Sequence, residues 1–310
     1  MGEWYEVILL ESDFRSVHET GVQGLLVKPW SELKFAVIGL GLIGGSYAKA
    51  LRQLGVGGII GVELDEATLR QAMQQGIIDV GVTAAGEELR QADIIICAVY
   101  PEAMTSFVAG SVQFFKDDVL LTDVSGIKGG LPMQVQSLLK PGMEFISGHP
   151  MAGRQGSGLD MASADIFANA NYIIVPERYN TQAAVQWLEK FALALGCRHT
   201  VQVTPAEHDG IIAYTSNLPH VLAVSLMDSA SYNDKTKYFV AGSFRDGTRV
   251  ADINPELWSS LFLANKDHVI EEIDKFAAQL AIWRQALKAG DADTLKKIMA
   301  QAARRRKELY

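Results

Sequence analysis

The chain has 310 residues, 48% of them hydrophobic, with a formal net charge of −8. This length and composition can bury two cores, and the acidic balance excludes a broad basic surface for nucleic acid. The two cysteines, Cys97 and Cys197, lie far apart and indicate neither a disulfide framework nor a zinc site. The apolar run at 7–10 is flanked by glutamates and no segment approaches a membrane-spanning length, so we expect a cytoplasmic protein without a signal peptide or anchor.

The first 33 residues carry two apolar stretches and no motif. The stretches read EVILLE at 6–11 and GLLVKPW at 24–30. We interpret them as an extra pair of strands or a hairpin packed on the domain that follows. Residues 1–33 are therefore treated as an unassigned N-terminal extension.

A glycine-rich turn follows the first clear strand pattern. Residues 35–38 run into Gly39, Gly41 and Gly44, and a helix pattern covers 43–54. In a dinucleotide site the first such glycine permits a tight turn and the second lets the backbone approach a pyrophosphate. The third lets the helix pack close to the strand. The sequence therefore predicts a dinucleotide-binding turn here.

Two further features support this interpretation. The backbone N–H groups of Leu42 and Ile43 begin the helix and would face the phosphates. A second predicted strand, 58–62, ends at Glu63, where a ribose-binding acid is expected, and the nearest downstream arginine is Arg70 in the next helix pattern. A carboxylate there accepts hydrogen bonds from a ribose 2′-OH and repels a 2′-phosphate, so we predict NAD rather than NADP. The alternative is a structural turn followed by a solvated glutamate.

Strand and helix patterns alternate from residue 34 to residue 203. This alternation predicts an α/β fold with a doubly wound parallel sheet, that is, a Rossmann NAD-binding domain over 34–203. Val99 and Pro101, at the end of the strand that contains Cys97, are further candidate cofactor contacts. Gly196 is expected to end a helix predicted over 181–195. The predicted strands are 35–38, 59–62, 94–99, 119–122, 145–147, 172–175 and 199–203.

After residue 203 the strand patterns end and two long helix patterns follow. A Thr-Pro pair at 204–205 opens the first, which is predicted to reach Met227, and an Asn-Pro pair at 254–255 opens the second, which stays periodic to Ala289. The second helix is apolar on more than one face and so needs partners on two sides. We predict an all-helical domain over 204–310 that also forms a homodimer. A large monomeric bundle would give the same pattern.

A histidine follows the predicted strand 145–147 in the segment GHPMAG, residues 148–153. Doubly wound folds bind ligands at the carboxyl ends of their strands, so His149 would face the cofactor cleft. A neutral imidazole there can accept a hydroxyl proton while hydride leaves the same carbon. The alternative is a histidine that only hydrogen-bonds the backbone in a turn, and position alone does not separate the two.

The segment FRDGTR, residues 244–249, places Arg245 and Arg249 four residues apart, on one face if the segment is helical. An arginine turned into a cleft binds a carboxylate through two parallel hydrogen bonds. The alternative is a surface ion pair with Asp246 or Asp252, and spacing alone favours that alternative.

Six motifs together resemble the prephenate dehydrogenase family in order and spacing, from residue 34 to the C-terminus. The resemblance implies oxidative decarboxylation of prephenate to 4-hydroxyphenylpyruvate in tyrosine biosynthesis, with NAD or NADP as acceptor and no metal. It also implies inhibition by tyrosine at the active site. The motifs are GLGLIGGS (39–46), TDVSGIK (122–128), GHPMAG (148–153), SNLPH (216–220), FRDGTR (244–249) and LFLANK (261–266).

The resemblance also implies roles for single residues. His149 matches the histidine that hydrogen-bonds the ring hydroxyl, and Arg249 matches the arginine that binds a substrate carboxylate. Many relatives have serine where this chain has Gly126, so the hydroxyl contact to substrate or nicotinamide falls to the preceding Ser125 or is absent.

Two further departures concern the candidate substrate contacts Asn217 and Gln155, where relatives often have histidine and glutamate. Asn and Gln still donate and accept hydrogen bonds but cannot titrate, and a neutral pocket favours prephenate over the ammonium-bearing arogenate. His220 is interpreted as a packing or capping histidine. Arogenate dehydrogenase and a non-catalytic NAD-binding regulator remain the alternatives.

Overall fold

The structure, a computed structural model, describes residues 22–154 and 156–309. The chain divides into two compact units, one ending at His208 and the other beginning at Asp209. The predicted stretch EVILLE lies outside the described residues.

The first unit is built on one eight-stranded sheet with the order β3-β2-β1-β4-β5-β6-β7-β8. Strands β1 to β6 pair in parallel, β7 is antiparallel to β6, and β8 is parallel to β7. The strands are β1 (Lys34–Ile38), β2 (Gly58–Val62), β3 (Val80–Val82), β4 (Ile94–Cys97), β5 (Leu120–Asp123), β6 (Glu144–Pro150), β7 (Asn171–Val175) and β8 (His199–Gln202).

Helices cover both faces of this sheet. Successive residues of β1 show why: Phe35 and Val37 pack into one buried apolar cluster, and Ala36 and Ile38 pack into another. The helices are α1 (Val22–Val27), α2 (Leu42–Leu54), α3 (Glu66–Gln74), α4 (Pro101–Ser111), α5 (Leu131–Leu138) and α6 (Gln182–Ala194), and α7 (Pro205–Ile212) begins in this unit. The doubly wound α/β fold is thus confirmed.

Three details of the first unit differ from the prediction. The GLLVKPW stretch forms helix α1 and a 3₁₀ turn at Trp30–Glu32 instead of a strand, because Val22 and Leu25, three residues apart, bury one helical face. Strand β3 was not predicted, since it has three residues with a glycine at its centre. The sheet is not wholly parallel, because the described part of the β6–β7 connection holds two short 3₁₀ turns and no crossover helix.

Strand β6 is longer than predicted, and this changes the position of His149. The strand continues to Pro150, so His149 lies within it and pairs with Ile173 of the antiparallel β7. His149 is therefore fixed by a sheet ladder and does not lie in a turn.

The second unit is helical, as predicted, with an interruption in each predicted long helix. The first passes through a π-helical turn at Ala213–Asn217, and the second breaks at Asn265. The predicted single helix over 254–289 is therefore wrong. The helices that follow α7 are α8 (Leu218–Met227), α9 (Gly242–Thr248), α10 (Pro255–Ala264), α11 (Lys266–Ala289) and α12 (Ala292–Leu309).

One described helical stretch passes a length and composition test for a membrane span. Pro205–Met227 has 23 residues and a mean hydropathy of 1.2 over its best window, 28% of which is buried. The expectation that no segment approaches a membrane-spanning length is therefore wrong by length and composition. The reason is that the π turn joins α7 and α8 into one continuous apolar helix. An apolar helix surface of this kind also suits contact with another protein chain.

Candidate active site

Each glycine of the turn after β1 has a separate structural reason. Gly39 has a φ of +85°, and a Cβ there would lie 2.7 Å from the carbonyl oxygen of Ala98. A Cβ at Gly44 would lie 1.8 Å from the carbonyl oxygen of Gly39, so no larger residue allows the helix to approach this closely. A Cβ at Gly41 would meet no described atom within 4 Å, so the backbone there borders open space. This cradle fits a pyrophosphate that approaches the backbone directly.

The start of α2 supplies donors to the same space. The helix begins at Leu42 after Gly41, which provides no side-chain cap, and its first intrahelical bond runs from Gly45 N to Gly41 O at 2.8 Å. The N–H groups of Leu42 and Ile43 precede that bond and have no intrahelical acceptor. Together with the positive end of the helix dipole they form a site for an anion.

Glu63 stands beside the glycine turn. Its carboxylate accepts a hydrogen bond from Leu40 N at 2.9 Å and another from Asp65 N at 3.2 Å. Each oxygen keeps a lone pair that can accept from a ribose hydroxyl. The guanidinium of Arg70 pairs with Glu66 at 3.0 Å. Glu63 therefore lies where a ribose-binding acid is predicted, and Arg70, the nearest downstream arginine, is paired with Glu66.

Val99 and Pro101 border the turn from the neighbouring strand. Strand β4 lies next to β1 at the point where the strand order reverses, which is where doubly wound sheets open a crevice. A Cβ at Gly39 would lie 2.8 Å from Val99 Cγ1, so Val99 packs against the turn, and Pro101 begins α4. Both positions are consistent with their predicted contact to a cofactor.

A buried ion pair connects β5 to β6. Asp123 ends β5, and its carboxylate lies 2.9 Å from Lys128 Nζ, with both side chains fully buried. Lys128 also donates to the carbonyl of Gly148 at 2.7 Å, and the hydroxyl of Ser147 donates to Asp123 at 2.6 Å. Burial alone would raise the pKa of Asp123, but the Lys128 charge and the Ser147 hydrogen bond outweigh it and hold the pKa below its usual range. The network fixes the backbone that leads into His149.

Ser125 and Gly126 follow this pair. Ser125 is 7% exposed, and its Oγ makes no hydrogen bond of good geometry among the described residues, although it lies near enough to Asp123 to help lower the pKa of that carboxyl. A buried hydroxyl that lacks such a bond is costly, so this atom marks a place where a polar group of a ligand would bind. A Cβ at Gly126 would lie 3.9 Å from both Cε1 and Nε2 of His149, which is an ordinary contact. The imidazole of His149 thus faces this loop across a space that a small side chain could occupy.

His149 has a second histidine as its neighbour. Its Nδ1 lies 2.9 Å from Nε2 of His208, a buried residue that is 2% exposed. The parallel strands β1, β4, β5 and β6 end at one edge of the sheet, so the glycine turn, Ser125 and His149 share that edge. The structure therefore brings the predicted catalytic residues and the predicted cofactor turn together within the first unit.

The second unit holds a separate cluster around Arg249, which directly follows α9 and is exposed. His220 stacks on Trp258 with ring centroids 3.6 Å apart and planes tilted by 30°. Its Nδ1 lies 2.8 Å from the carbonyl of Ser216, to which it must donate. Burial lowers the pKa of His220, and the Arg249 charge lowers it further against the raising effect of the Ser216 bond. The cluster offers a cation, an imidazole and an aromatic face.

Asn217 lies in a hydrogen-bond network of its own. Asn217 is 2% exposed, and its Oδ1 accepts from Asn265 Nδ2 at 3.0 Å. The same amide of Asn265 donates to the carbonyl of Asp209 at 2.9 Å, so these residues hold the π turn against the break between α10 and α11. Gln155 lies outside the described residues. Substrate binding by Asn217 and Gln155 stays a prediction.

Two residues of these clusters had no functional prediction. His208 lies in the sequence TPAEHD, which predicts only its place in the first turns of a helix, while its partner His149 is 59 residues away. His220 was interpreted as a packing histidine, and its stacking on Trp258 agrees with that. Its proximity to Arg249 gives it a second role to test. No local pattern could have shown either contact.

The glycine cradle, the acid at Glu63 and a histidine at the same sheet edge define a Rossmann-type, dinucleotide-dependent oxidoreductase. Residues 47–201 match the family model described as prephenate dehydrogenase, nucleotide-binding domain, and residues 204–301 match prephenate dehydrogenase, dimerization domain. The chain belongs to the prephenate dehydrogenase family. Among residues 22–154 and 156–309, no group of three or more His, Cys, Asp or Glu side chains is placed to hold a metal ion.

Individual relatives agree with this assignment. The chain is 31% identical over 264 residues to a prephenate dehydrogenase of Bacillus subtilis (strain 168), covering 83% of this chain and 71% of that protein. It is similar to the crystal structure of prephenate dehydrogenase from A. aeolicus in complex with hydroxyphenyl propionate and NAD+, with a TM-score of 0.83, 26% identity and coverage of 91% and 100% of the two chains. Synechocystis arogenate dehydrogenase gives a TM-score of 0.79 at 26% identity, covering 90% of this chain and 100% of that chain. The predicted family, the oxidoreductase class and NAD as cofactor are thus confirmed.

Proposed function

We propose that this protein catalyses the NAD-dependent oxidative decarboxylation of prephenate to 4-hydroxyphenylpyruvate, a step of tyrosine biosynthesis. The observation that carries the proposal is the position of His149 on β6, beside the Ser125–Gly126 loop and at the same sheet edge as the glycine cradle. Family membership supports the substrate class. The roles of single residues, inhibition by tyrosine and the homodimer belong to the same proposal.

His149 acts as the general base in this proposal. NAD held by the glycine turn and Glu63 would supply the hydride acceptor for the ring carbon that bears the hydroxyl. The imidazole of His149 takes the hydroxyl proton, so the carbon becomes a carbonyl. That carbonyl receives the electron pair of the breaking C–C bond as CO₂ leaves, and the ring becomes aromatic. The buried hydroxyl of Ser125 is suited to bind either the ring oxygen or the nicotinamide amide.

Arg249 binds a carboxylate of the substrate. A guanidinium forms two parallel hydrogen bonds with a carboxylate. His220, whose Nδ1 donates to the Ser216 carbonyl, stacks on Trp258 nearby. Tyrosine carries both a phenol and a carboxylate, so we further propose that it competes for this site.

The same helical unit forms a homodimer in this proposal. The matching family model is described as a dimerization domain, and large apolar side chains of α11 are exposed in the single chain, such as Leu280 at 53%. An apolar face of this kind is usually covered by a partner. A cytoplasmic location stays a prediction from composition.

Reduced-cofactor absorbance tests the function directly. Purified protein is assayed with prephenate and with arogenate, each against NAD and NADP, and with tyrosine added to the best pair. We expect the highest kcat/KM with prephenate and NAD and competitive inhibition by tyrosine. Higher turnover of arogenate would favour arogenate dehydrogenase activity, and the similarity to an arogenate dehydrogenase is the reason for including that substrate. No turnover of either substrate would favour a non-catalytic NAD-binding regulator.

A further inference from the structure

The contact between His149 and His208 joins two imidazoles through their edges. The nitrogens are 2.9 Å apart, while the ring centroids are 5.2 Å apart and the planes are inclined by 58°. This is hydrogen-bond geometry and not a stack. In such a pair one nitrogen carries the proton and the other accepts it. The tautomer of His149 is therefore tied to that of His208.

His208 is held in place by the start of its helix. Thr204 N donates to Glu207 Oε2 at 2.9 Å and Glu207 N donates to Thr204 Oγ1 at 3.3 Å, which is a reciprocal capping box. His208 N donates to the carbonyl of Thr204 at 2.9 Å, and the residue is 2% exposed. Both the backbone and the ring of His208 are thus restrained before any ligand binds.

The backbone before His149 is restrained independently. Gly148 N donates to Asp123 Oδ1 at 3.1 Å, and Lys128 Nζ donates to the Gly148 carbonyl at 2.7 Å. The strand is therefore fixed by a buried ion pair, and this leaves rotation of the imidazole as the main freedom of the base. His208 contacts the ring at Nδ1, whereas Gly126 faces its Cε1–Nε2 edge.

We infer that His208 is a positioning residue that accepts the Nδ1 proton of His149 and thereby keeps Nε2 of His149 as the proton-accepting atom. A neutral imidazole has one acceptor nitrogen, and the opposite tautomer would place a hydrogen on the edge that must take the hydroxyl proton. The catalytic part of this inference rests on the proposed function. The choice of tautomer rests on it as well, because the proposed function requires Nε2 to accept a proton, whereas the hydrogen bond between the two rings does not.

An imidazole partner has a chemical consequence that a carboxylate partner would not have. When His149 takes up a second proton on Nε2, its existing hydrogen bond to His208 becomes charge-assisted, but His208 supplies no opposite charge. Titratable or charged groups on the elements around the pair are Asp123, Lys128, Arg154, Tyr172, Glu207 and Asp209.

Three variants separate positioning from packing: His208→Gln, His208→Asn and His208→Ala. The amide of Gln reaches the place of the histidine Nε2, whereas the amide of Asn stops at the place of Nδ1. We expect His208→Gln to keep kcat within about threefold of the native value, and the Asn and Ala variants to lose roughly 10- to 100-fold in kcat with little change in KM. Melting temperatures are measured in parallel, since a packing role would make activity follow stability instead.

The pH profile and the tautomer supply readouts that packing would not move. In His208→Asn the acid limb of the kcat profile should shift down by about half to one pH unit, because the lost hydrogen bond is stronger in the charged form of His149 than in the neutral form. ¹⁵N NMR of the native protein, with the His149 signal assigned by its loss in His149→Asn, should show a proton on Nδ1 and none on Nε2.

Two results would overturn the inference: an Asn variant with native kcat and native pH profile, or a neutral His149 with its proton on Nε2. The NMR measurement uses the native chain, so it decides the matter even if the smaller side chains prevent folding. Absence of any turnover by the native protein would instead count against the proposed function, and the NMR result would still test the hydrogen bond.

Discussion

The two units of this chain differ in how far their apolar side chains are buried. In the first unit the sheet is covered on both faces, and strands such as β4 are fully buried. In the second unit few large apolar residues are buried, and α11 alone exposes several of them. These are Ile270 (55%), Ile273 (37%), Leu280 (53%), Ile282 (41%) and Leu287 (65%). The described part of the first unit thus covers its own apolar sheet, whereas the second leaves an apolar helix surface that suits contact with another protein chain.

The chemistry of the two units differs in the same way. The first unit holds the glycine cradle, Glu63 and His149, all fixed by hydrogen bonds within the sheet. The second holds Arg249, which is exposed, beside the stacked pair of His220 and Trp258. We expect substitutions in the first unit to change the rate of the reaction and substitutions in the second to change substrate binding and assembly.

The largest effect is expected at His149. His149→Asn keeps a hydrogen-bonding group of similar size but removes the base, so kcat should fall by roughly 10²–10⁴ with little change in apparent substrate binding. Steady-state kinetics with prephenate measure it. His199→Asn, an exposed histidine on β8, is the matched control and should leave kcat unchanged. A variant at His149 that mainly weakens binding would mean that the base lies elsewhere.

Arg249→Ala tests the opposite expectation for the second unit. The substrate carboxylate is present before and during the reaction, so losing its arginine should raise KM much more than it lowers kcat. The increase should correspond to about 2–3 kcal/mol of binding free energy. Arg245→Ala, one helical turn earlier in α9, is the control, and its KM should stay near the native value. Equal KM values for the two variants would remove Arg249 from the site.

Assembly can be tested with two leucines of equal exposure. Leu280 on α11 and Leu193 on α6 are each 53% exposed in the single chain, so neither Leu→Glu change should disturb the folding of its own unit. Leu280→Glu should weaken the dimer roughly 10- to 100-fold, because a charge would be buried at the interface. Sedimentation equilibrium measures this change, and Leu193→Glu should remain dimeric. If the native chain sediments as a monomer, the contrast between the units has another explanation.

The smallest effect is expected at Glu63. Glu63→Ala removes the repulsion of a 2′-phosphate, so the preference for NAD over NADP should fall by roughly tenfold. The ratio of kcat/KM values for the two cofactors measures it, with Glu88→Ala as a control carboxylate distant from the turn. A native protein that uses NADP as well as NAD would show that Glu63 does not select the cofactor.

Local patterns predicted much of the first unit because its decisive features are local. The roles of Gly39 and Gly44 follow from backbone geometry within a few residues, and the structure shows a steric reason for each. The antiparallel course of β7 was not predictable in this way, since alternation of strands and helices does not report the direction of an edge strand. The sequence pattern also did not predict the length of β6, which continues to Pro150. His149 therefore lies in the strand and not in a turn.

The second unit shows a different limit. Apolar periodicity runs without interruption through Asn265, yet the helix breaks there because the Asn265 side chain bonds to Asp209 and Asn217, which are distant in sequence. His208 was missed for the same reason, since its partner is also distant in sequence. Periodicity reports which face of a helix is apolar, but it does not report which polar side chain meets another across the fold.

The buried pair of Asp123 and Lys128 also sets how the protein responds to acid. The pKa of Asp123 in the folded state lies below its unfolded value of about 4, so the pair stabilises the fold fully above that pH and ceases to do so as the pH falls through the folded value. Protonating Asp123 would remove the carboxylate charge that lies 2.9 Å from the buried Lys128 ammonium. We therefore expect acid to weaken the contacts that hold the strand carrying His149. An acid-treated sample would lose the alignment of the base because the fold is destabilised, which is a separate effect from protonation of the base itself.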